Sequence, residues 1–251
     1  MPFSVRRALL VCLLATPLVP SSARGQEAVD HWRVQLELGF NGASGNSSFS
    51  ILRTGGKATH LRTDVAEFEA SFLVRYGKND EKVIADDAKA TLKFDLWPKG
   101  AWSPFVFADV ARDGIRRLDG RFSGGAGGKW TFWESAGGEA SLSAAALWDY
   151  QNFKVAAGSA GPQTENSARW SVRTKLEKKL SSTATFEQVA FYQPVWDAAS
   201  DYTLDVTSSV TTKVLGNLDL ALEHQYLRDA TPPEGVGPDD QRFSVVVKVT
   251  F

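Results

Sequence analysis

Every second residue near the end of the chain is apolar. Phe243, Val245, Val247, Val249 and Phe251 share one side of an extended segment, and Arg242, Ser244, Val246, Lys248 and Thr250 share the other. The same period of two returns at Trp32, Val34, Leu36, Leu38 and Phe40, set against Arg33, Gln35, Glu37 and Gly39. It returns again at Phe68–Tyr76, Ala88–Leu96, Ala140–Tyr150, Trp170–Leu176, Tyr202–Val214 and Leu218–Tyr226. A period of two predicts strands rather than helices. Three segments alternate less cleanly. Residues 49–57 mix polar and apolar side chains on both faces. Residues 104–111 fit either register, with Phe105 and Phe107 opposed to Val106, Ala108 and Val110. Residues 183–193 place Gln188 on the apolar face. Counting these, about twelve strands are expected. Strands that alternate between apolar and polar or charged faces, recurring without helices, predict an all-β, transmembrane, antiparallel up-and-down barrel of the bacterial outer membrane.

The connections support that prediction. A short set (60–64, 98–103, 134–138, 181–183 and 216–217) alternates with a more polar set (77–86, 112–120, 153–166, 194–201 and 228–240). The first connection of the second set, 43–47, is also short. Short periplasmic turns and longer outer loops are usual in such barrels, so both termini are expected in the periplasm. Trp32, Trp97, Trp102, Trp130 and Trp133 map near the periplasmic ends of the strands. Trp148, Trp170 and Trp196, with Tyr76, Tyr150, Tyr192, Tyr202 and Tyr226, map near the outer ends. Two such girdles fit a membrane interface, where amphipathic rings concentrate, whereas a soluble sandwich would spread them through its core.

The first 25 residues follow a different pattern. Arg6 and Arg7 precede an apolar run from Ala8 to Val19, too short to cross a bilayer and suited to an export signal. Cleavage after Ala23 or after Gly25 both fit, leaving a barrel domain from about residue 26 to residue 251. The only cysteine, Cys12, lies in this leader, so no disulfide is expected in the remainder. Mean hydropathy is −0.21 and the formal net charge is −1. The low hydropathy is compatible with a barrel, where only alternate residues face lipid. The balanced charge gives no reason to expect a nucleic-acid partner. No cofactor is expected, and with three histidines and no cysteine beyond the leader no metal site is expected either.

Candidate chemistry lies on the polar faces. Arg33, Glu37, Glu69, Arg75, Lys89, Lys93, Asp95, Arg169, Arg173, Lys175, Asp205, Lys213, Glu223 and Lys248 are expected to point into the lumen. Such charges fit two readings: the lining of a water-filled pore, or a mutually paired network that fills it. Arg169, Arg173 and Lys175 lie together, which favours an anionic solute if a pore exists. Trp32, Trp97, Trp102, Trp130, Trp148, Trp170, Trp196, Tyr202, Tyr226 and Phe251 are the expected interfacial aromatics, in contact with outer-membrane lipids. The terminal strand is expected to engage the barrel-assembly machinery. The basic segment from Arg112 to Arg121 fits either phosphate binding or a hairpin of acid–base pairs. Residues 124–129 lack the glycine and hydroxyl spacing of a phosphate loop. Ser208 and His224 fall on the apolar faces of neighbouring strands and could form a hydrolytic pair, although no third group to orient the histidine is apparent.

Several short motifs follow one another along the chain. They are Trp32 with Gly39 and Ser44-Gly45-Asn46-Ser47, then Asp113, Leu118 and Arg121 leading into Gly124-Gly125-Ala126-Gly127-Gly128. Gln193-Pro194, Asp201-Tyr202, Pro232-Pro233, Asp240 and the terminal Phe251 follow. In this order and spacing, residues 30–251 resemble domain-of-unknown-function family 481, whose members are often labelled salt-induced outer-membrane proteins. The resemblance implies an outer-membrane barrel without a defined activity. The expected function is a passive, porin-like channel or a structural component. The alternatives are a lipid-face hydrolase using Ser208 and His224, or a binding protein acting through the loops at 153–166 and 228–240.

Overall fold

The computed structural model describes residues 30–43, 49–62, 65–80, 82–154 and 164–251. The expected signal segment, Ser44–Ser47 and most of the loop after Phe153 lie outside the described residues. Twelve strands form one closed antiparallel barrel. They are β1 (Asp30–Ala43), β2 (Phe49–Arg62), β3 (Ala66–Asn79), β4 (Lys82–Leu96), β5 (Trp102–Asp113) and β6 (Leu118–Ser135). The circuit continues with β7 (Gly138–Phe153), β8 (Thr164–Lys179), β9 (Ala184–Pro194), β10 (Tyr202–Leu215), β11 (Leu218–Asp229) and β12 (Asp239–Thr250), which pairs back onto β1.

Register decides which side chains face lipid. Leu36 on β1, Leu222 on β11 and Phe243 on β12 point outward, the last two exposed by 60% and 70%. An apolar belt of this kind needs hydrocarbon around it, and closure leaves no unpaired sheet edge within the membrane. The segments that were ambiguous in sequence are resolved by their partners. Gly39↔Arg53 and Arg53↔Arg75 turn Arg53 and Lys57 of β2 inward and Leu52 outward. Lys93↔Phe107 and Asp95↔Phe105 turn both phenylalanines of β5 into the lumen and leave Val106 and Val110 outside. Gln188 faces outward, and its amide donates to Ser208 Oγ at 3.0 Å.

Several connections are shorter than expected. The segment 77–86 is not a loop: β3 runs to Asn79 and β4 starts at Lys82, with a bulge at Gly77/Lys78. Likewise β5 and β6 reduce 112–120 to Gly114–Arg117. Strands that rise beyond the bilayer meet water on both faces, so polar composition does not end them. Gly125 and Gly127 of β6 face inward against β7, where a Cβ on Gly127 would meet the Ala144 carbonyl at 2.2 Å. The glycine run is thus a flat strand under close packing, continuous with the sheet.

Candidate functional site

The lumen holds two clusters of side chains with a cavity between them. On the side of β1–β3 and β11–β12 it is filled. The Arg53 guanidinium lies between Glu37, at 3.0 Å, and Glu223 of β11. Arg75 Nε donates to Asp87 at 2.9 Å and its Nη1 donates to Gln225 of β11 at 3.0 Å. Gln225 in turn donates to Asp205 at 3.1 Å. Ala221 and Val246 are completely buried beneath this ladder. These bonds span three or four strands of the circuit, so they close off a chord of the barrel.

A second cluster braces β6–β8. Asp149, with no exposed surface, accepts from Arg121 Nε at 2.7 Å, Ser123 Oγ at 2.7 Å and Gln151 Nε2 at 2.9 Å. Arg169 lies 3.6 Å from Asp149 and 3.3 Å from Asp201. Lys175 pairs with Glu177 at 3.1 Å and Glu187 at 3.6 Å. The three neighbouring cations of β8 therefore differ. Arg169 and Lys175 are neutralised by carboxylates. Arg173 has no carboxylate within 4 Å among the described residues and instead lies over the Phe191 ring, 5.5 Å from its centroid.

Between the two clusters is a cavity of about 400 Å³. Glu69, Lys89, Lys93, Arg173 and Asp205 line it, joined by Lys57, Phe105, Phe107, Asp109, Arg121 and Phe191. A second void of about 220 Å³ shares Lys57, Ser71, Lys89 and Thr91 with it and reaches Gln35, Glu37 and Leu73, midway along their strands. Some wall cations are partly balanced: Lys57 meets Glu69 at 2.6 Å, Lys93 meets Asp95 at 2.7 Å and Lys89 lies 3.7 Å from Asp109. The remaining candidates are inward but away from the main cavity. Glu37, Arg75, Asp95, Arg169, Lys175 and Glu223 serve the networks, while Arg33, Lys213 and Lys248 lie toward the periplasmic rim, where Asp219 pairs in register with both lysines.

The outer mouth is crossed by charged groups. The β5–β6 turn is diametrically opposite β11–β12 in the strand order. Asp113 accepts from the Ile115 and Arg116 amides, which shapes this turn. Arg116 Nε then reaches Asp240 at 3.0 Å, Arg117 donates to the Glu234 carbonyl at 2.9 Å, and Arg242 meets Asp113 at 3.5 Å. The basic outer segment is thus a latch of acid–base pairs. Arg53, Lys57, Arg121, Asp149 and the three inward phenylalanines were absent from the expected lumen set. The only sequence signal for them was parity with neighbouring charges.

The outer surface carries two sets of rings. Trp102 stacks on Trp130 at 5.7 Å and Trp32 meets His60 at 4.5 Å near the periplasmic ends. Trp170 stacks on Trp196 at 4.8 Å, and Tyr192 meets Tyr202 at 5.3 Å, near the outer ends. Trp97, Trp148 and Phe251 are also exposed, and the Tyr226 hydroxyl donates to Asp239 at 2.5 Å. Ser208 and His224 are register partners, but Gln188 already donates to the serine and His224 stacks on Phe243 at 4.5 Å. His224 Nε2 has no hydrogen-bond partner among the described residues.

The matching family model, described as "Protein of unknown function, DUF481", covers residues 36–251. The chain belongs to this family. No curated protein matches it. Among solved structures, the NanC porin aligns over 87% of this chain and 98% of its own, with a TM-score of 0.54 and 9% identity. The translocator domain of the autotransporter NalP from Neisseria meningitidis covers 90% and 89%, at a TM-score of 0.49 and 11% identity. An outer-membrane channel from Pseudomonas putida F1 covers 93% and 100%, at 0.48 and 13%. With its closed circuit and outward apolar belt, this DUF481 protein is a bacterial outer-membrane β-barrel.

Proposed function

We propose that the protein is a narrow passive channel that passes small anions in preference to cations. The observation that carries this reading is the wall of the central cavity. Lys57, Lys89, Lys93, Arg116, Arg121 and Arg173 reach it, against Glu69, Asp109 and Asp205. A surplus of one sign within low-dielectric walls concentrates the opposite ion and repels its like. The ladder from Arg53 to Asp205 narrows the passage on one side, and the central cavity with its adjoining void leaves space beside it. Lipid contact through the two rings of aromatics, and engagement of β12 by the assembly machinery, belong to the same reading. A lipid-face hydrolase is less well supported, since nothing described orients His224 toward Ser208.

The test is the reversal potential of the refolded protein in a planar bilayer under a tenfold KCl gradient. A potential of the sign set by chloride is expected, moving toward zero in the triple variant Lys89→Gln, Lys93→Gln, Arg173→Gln. A potential of the sign set by potassium would refute the anion preference.

A further inference from the structure

We infer that the central cavity is a binding site for a small carboxylate carrying a planar apolar body, an aromatic monocarboxylate, with Arg173 holding the carboxylate. The inference rests on the channel reading and names its solute class. Two observations support it, and neither was needed to argue for anion preference.

The first is the state of Arg173. The other arginines of the cavity wall have carboxylate partners: Arg121 has Asp149, Arg116 has Asp240 and Arg228 has Asp239. Arg173 has no carboxylate within 4 Å among the described residues and lies over the Phe191 ring. A guanidinium presents a planar fork of donors that matches a carboxylate through two parallel bonds. Here the guanidinium carbon lies 5.5 Å from the centroid of the Phe191 ring, and the fork borders an open space of about 400 Å³. That space has the size usual for small-molecule pockets.

The second is the apolar surface beside it. Phe105, Phe107 and Phe191 point into the lumen, and Ala145 and Leu227 add further apolar surface to a wall otherwise made largely of ions, hydroxyls and amides. In a water-filled passage these rings would be costly to leave wet. Phe105 and Phe107 lie 6.2 Å apart on β5, and Lys93 sits over Phe105 at 4.9 Å. Each wall therefore pairs a cation with a ring: Lys93 with Phe105 on one, Arg173 with Phe191 on the other. An arene carboxylate satisfies both parts, its ring against the phenylalanines and its charge against the guanidinium. A sugar acid would compete for part of the polar wall, where Gln193, Ser171 and Thr203 already bond one another at 3.1 Å and 3.4 Å, and comparing benzoate with glucuronate decides between the two.

The test is calorimetric titration of the detergent-folded mature protein with sodium benzoate, sodium glucuronate and sodium acetate. It requires no current, so a blocked channel does not hide a bound ligand. Benzoate is expected to bind at least about tenfold more tightly than either competitor. Arg173→Gln should weaken benzoate about tenfold or more, and Arg173→Lys should restore part of the loss. Phe191→Leu preserves apolar bulk and should weaken benzoate while leaving acetate unchanged. Glucuronate or acetate binding as tightly as benzoate would overturn the inference, as would full benzoate affinity in folded Arg173→Gln. Either result leaves chloride selectivity standing. Absence of conductance with benzoate binding intact would refute the channel and leave the site.

Discussion

At the scale of single residues, Asp149 and Arg173 are opposites. Asp149 is fully enclosed and serves two arginines, a serine and a glutamine. Removing it leaves Arg121 and Arg169 confined with less counter-charge, a kind of loss that costs about 3–5 kcal/mol. Asp149→Ala should therefore lower the urea midpoint of the folded barrel markedly, as read by loss of heat-modifiable migration. Ser141→Ala, whose hydroxyl is buried without a partner, should have little effect or stabilise slightly. Arg173→Gln should leave stability almost unchanged, because no carboxylate lies within 4 Å of it among the described residues. Sequence parity placed the β8 charges on one face, but could not distinguish them. Arg169 is neutralised by Asp201 from a loop and Asp149 from β7, and such partners follow from register and loop path, which alternation alone does not encode. The inward turn of Phe105 and Phe107 was hidden for a related reason. Both faces of β5 carry apolar residues, so only pairing with the charged face of β4 settles which is internal.

At the scale of elements, two features invite tests. The latch between the β5–β6 turn and β11–β12 rests on Arg116–Asp240, Arg117–Glu234 and Arg242–Asp113. Arg116–Asp240 and Arg242–Asp113 are partly exposed ion pairs that salt screens, while Arg117 reaches a backbone carbonyl. Arg116→Ser with Arg117→Ser is expected to raise conductance at low salt, with the difference shrinking at high salt. An unchanged current at low salt would show that the latch does not obstruct the mouth. The other feature is the closing seam. The β1–β12 ladder runs from Gln35↔Thr250 to Gly39↔Val246, below which Val34 and Phe251 exchange both backbone bonds. Toward the outer end no further ladder pair joins the two strands among the described residues, and Asn41 Nδ2 donates to the Phe243 carbonyl at 2.9 Å. Amides on the β1-facing edge of residues 239–245 should thus exchange hydrogen faster than those facing β11, measured in detergent by mass spectrometry or NMR. Strand number and order were legible because the period of two is local. Strand ends were less so, because Lys78, Asn79 and Lys82 have a loop-like composition but extend a hairpin beyond the membrane.

At the scale of the whole molecule, closure, the lipid-facing belt and the two rings of aromatics fix the barrel in the outer membrane. Its interior is divided between a braced chord and an open cavity. The sequence could not choose between a filled lumen and a pore, because the outcome depends on bonds such as Arg53–Glu223 and Arg75–Gln225 between residues 150 or more positions apart. The structure has bracing along β1–β3 and β11–β12 and, beside it, a cavity lined by residues of β2 to β11. The measurement that tests this most directly is the current through single copies of the refolded mature protein in a planar bilayer. Small, discrete steps that grow with salt concentration are the predicted result. A demonstrably folded barrel that inserts and gives no steps at any salt concentration would contradict the account.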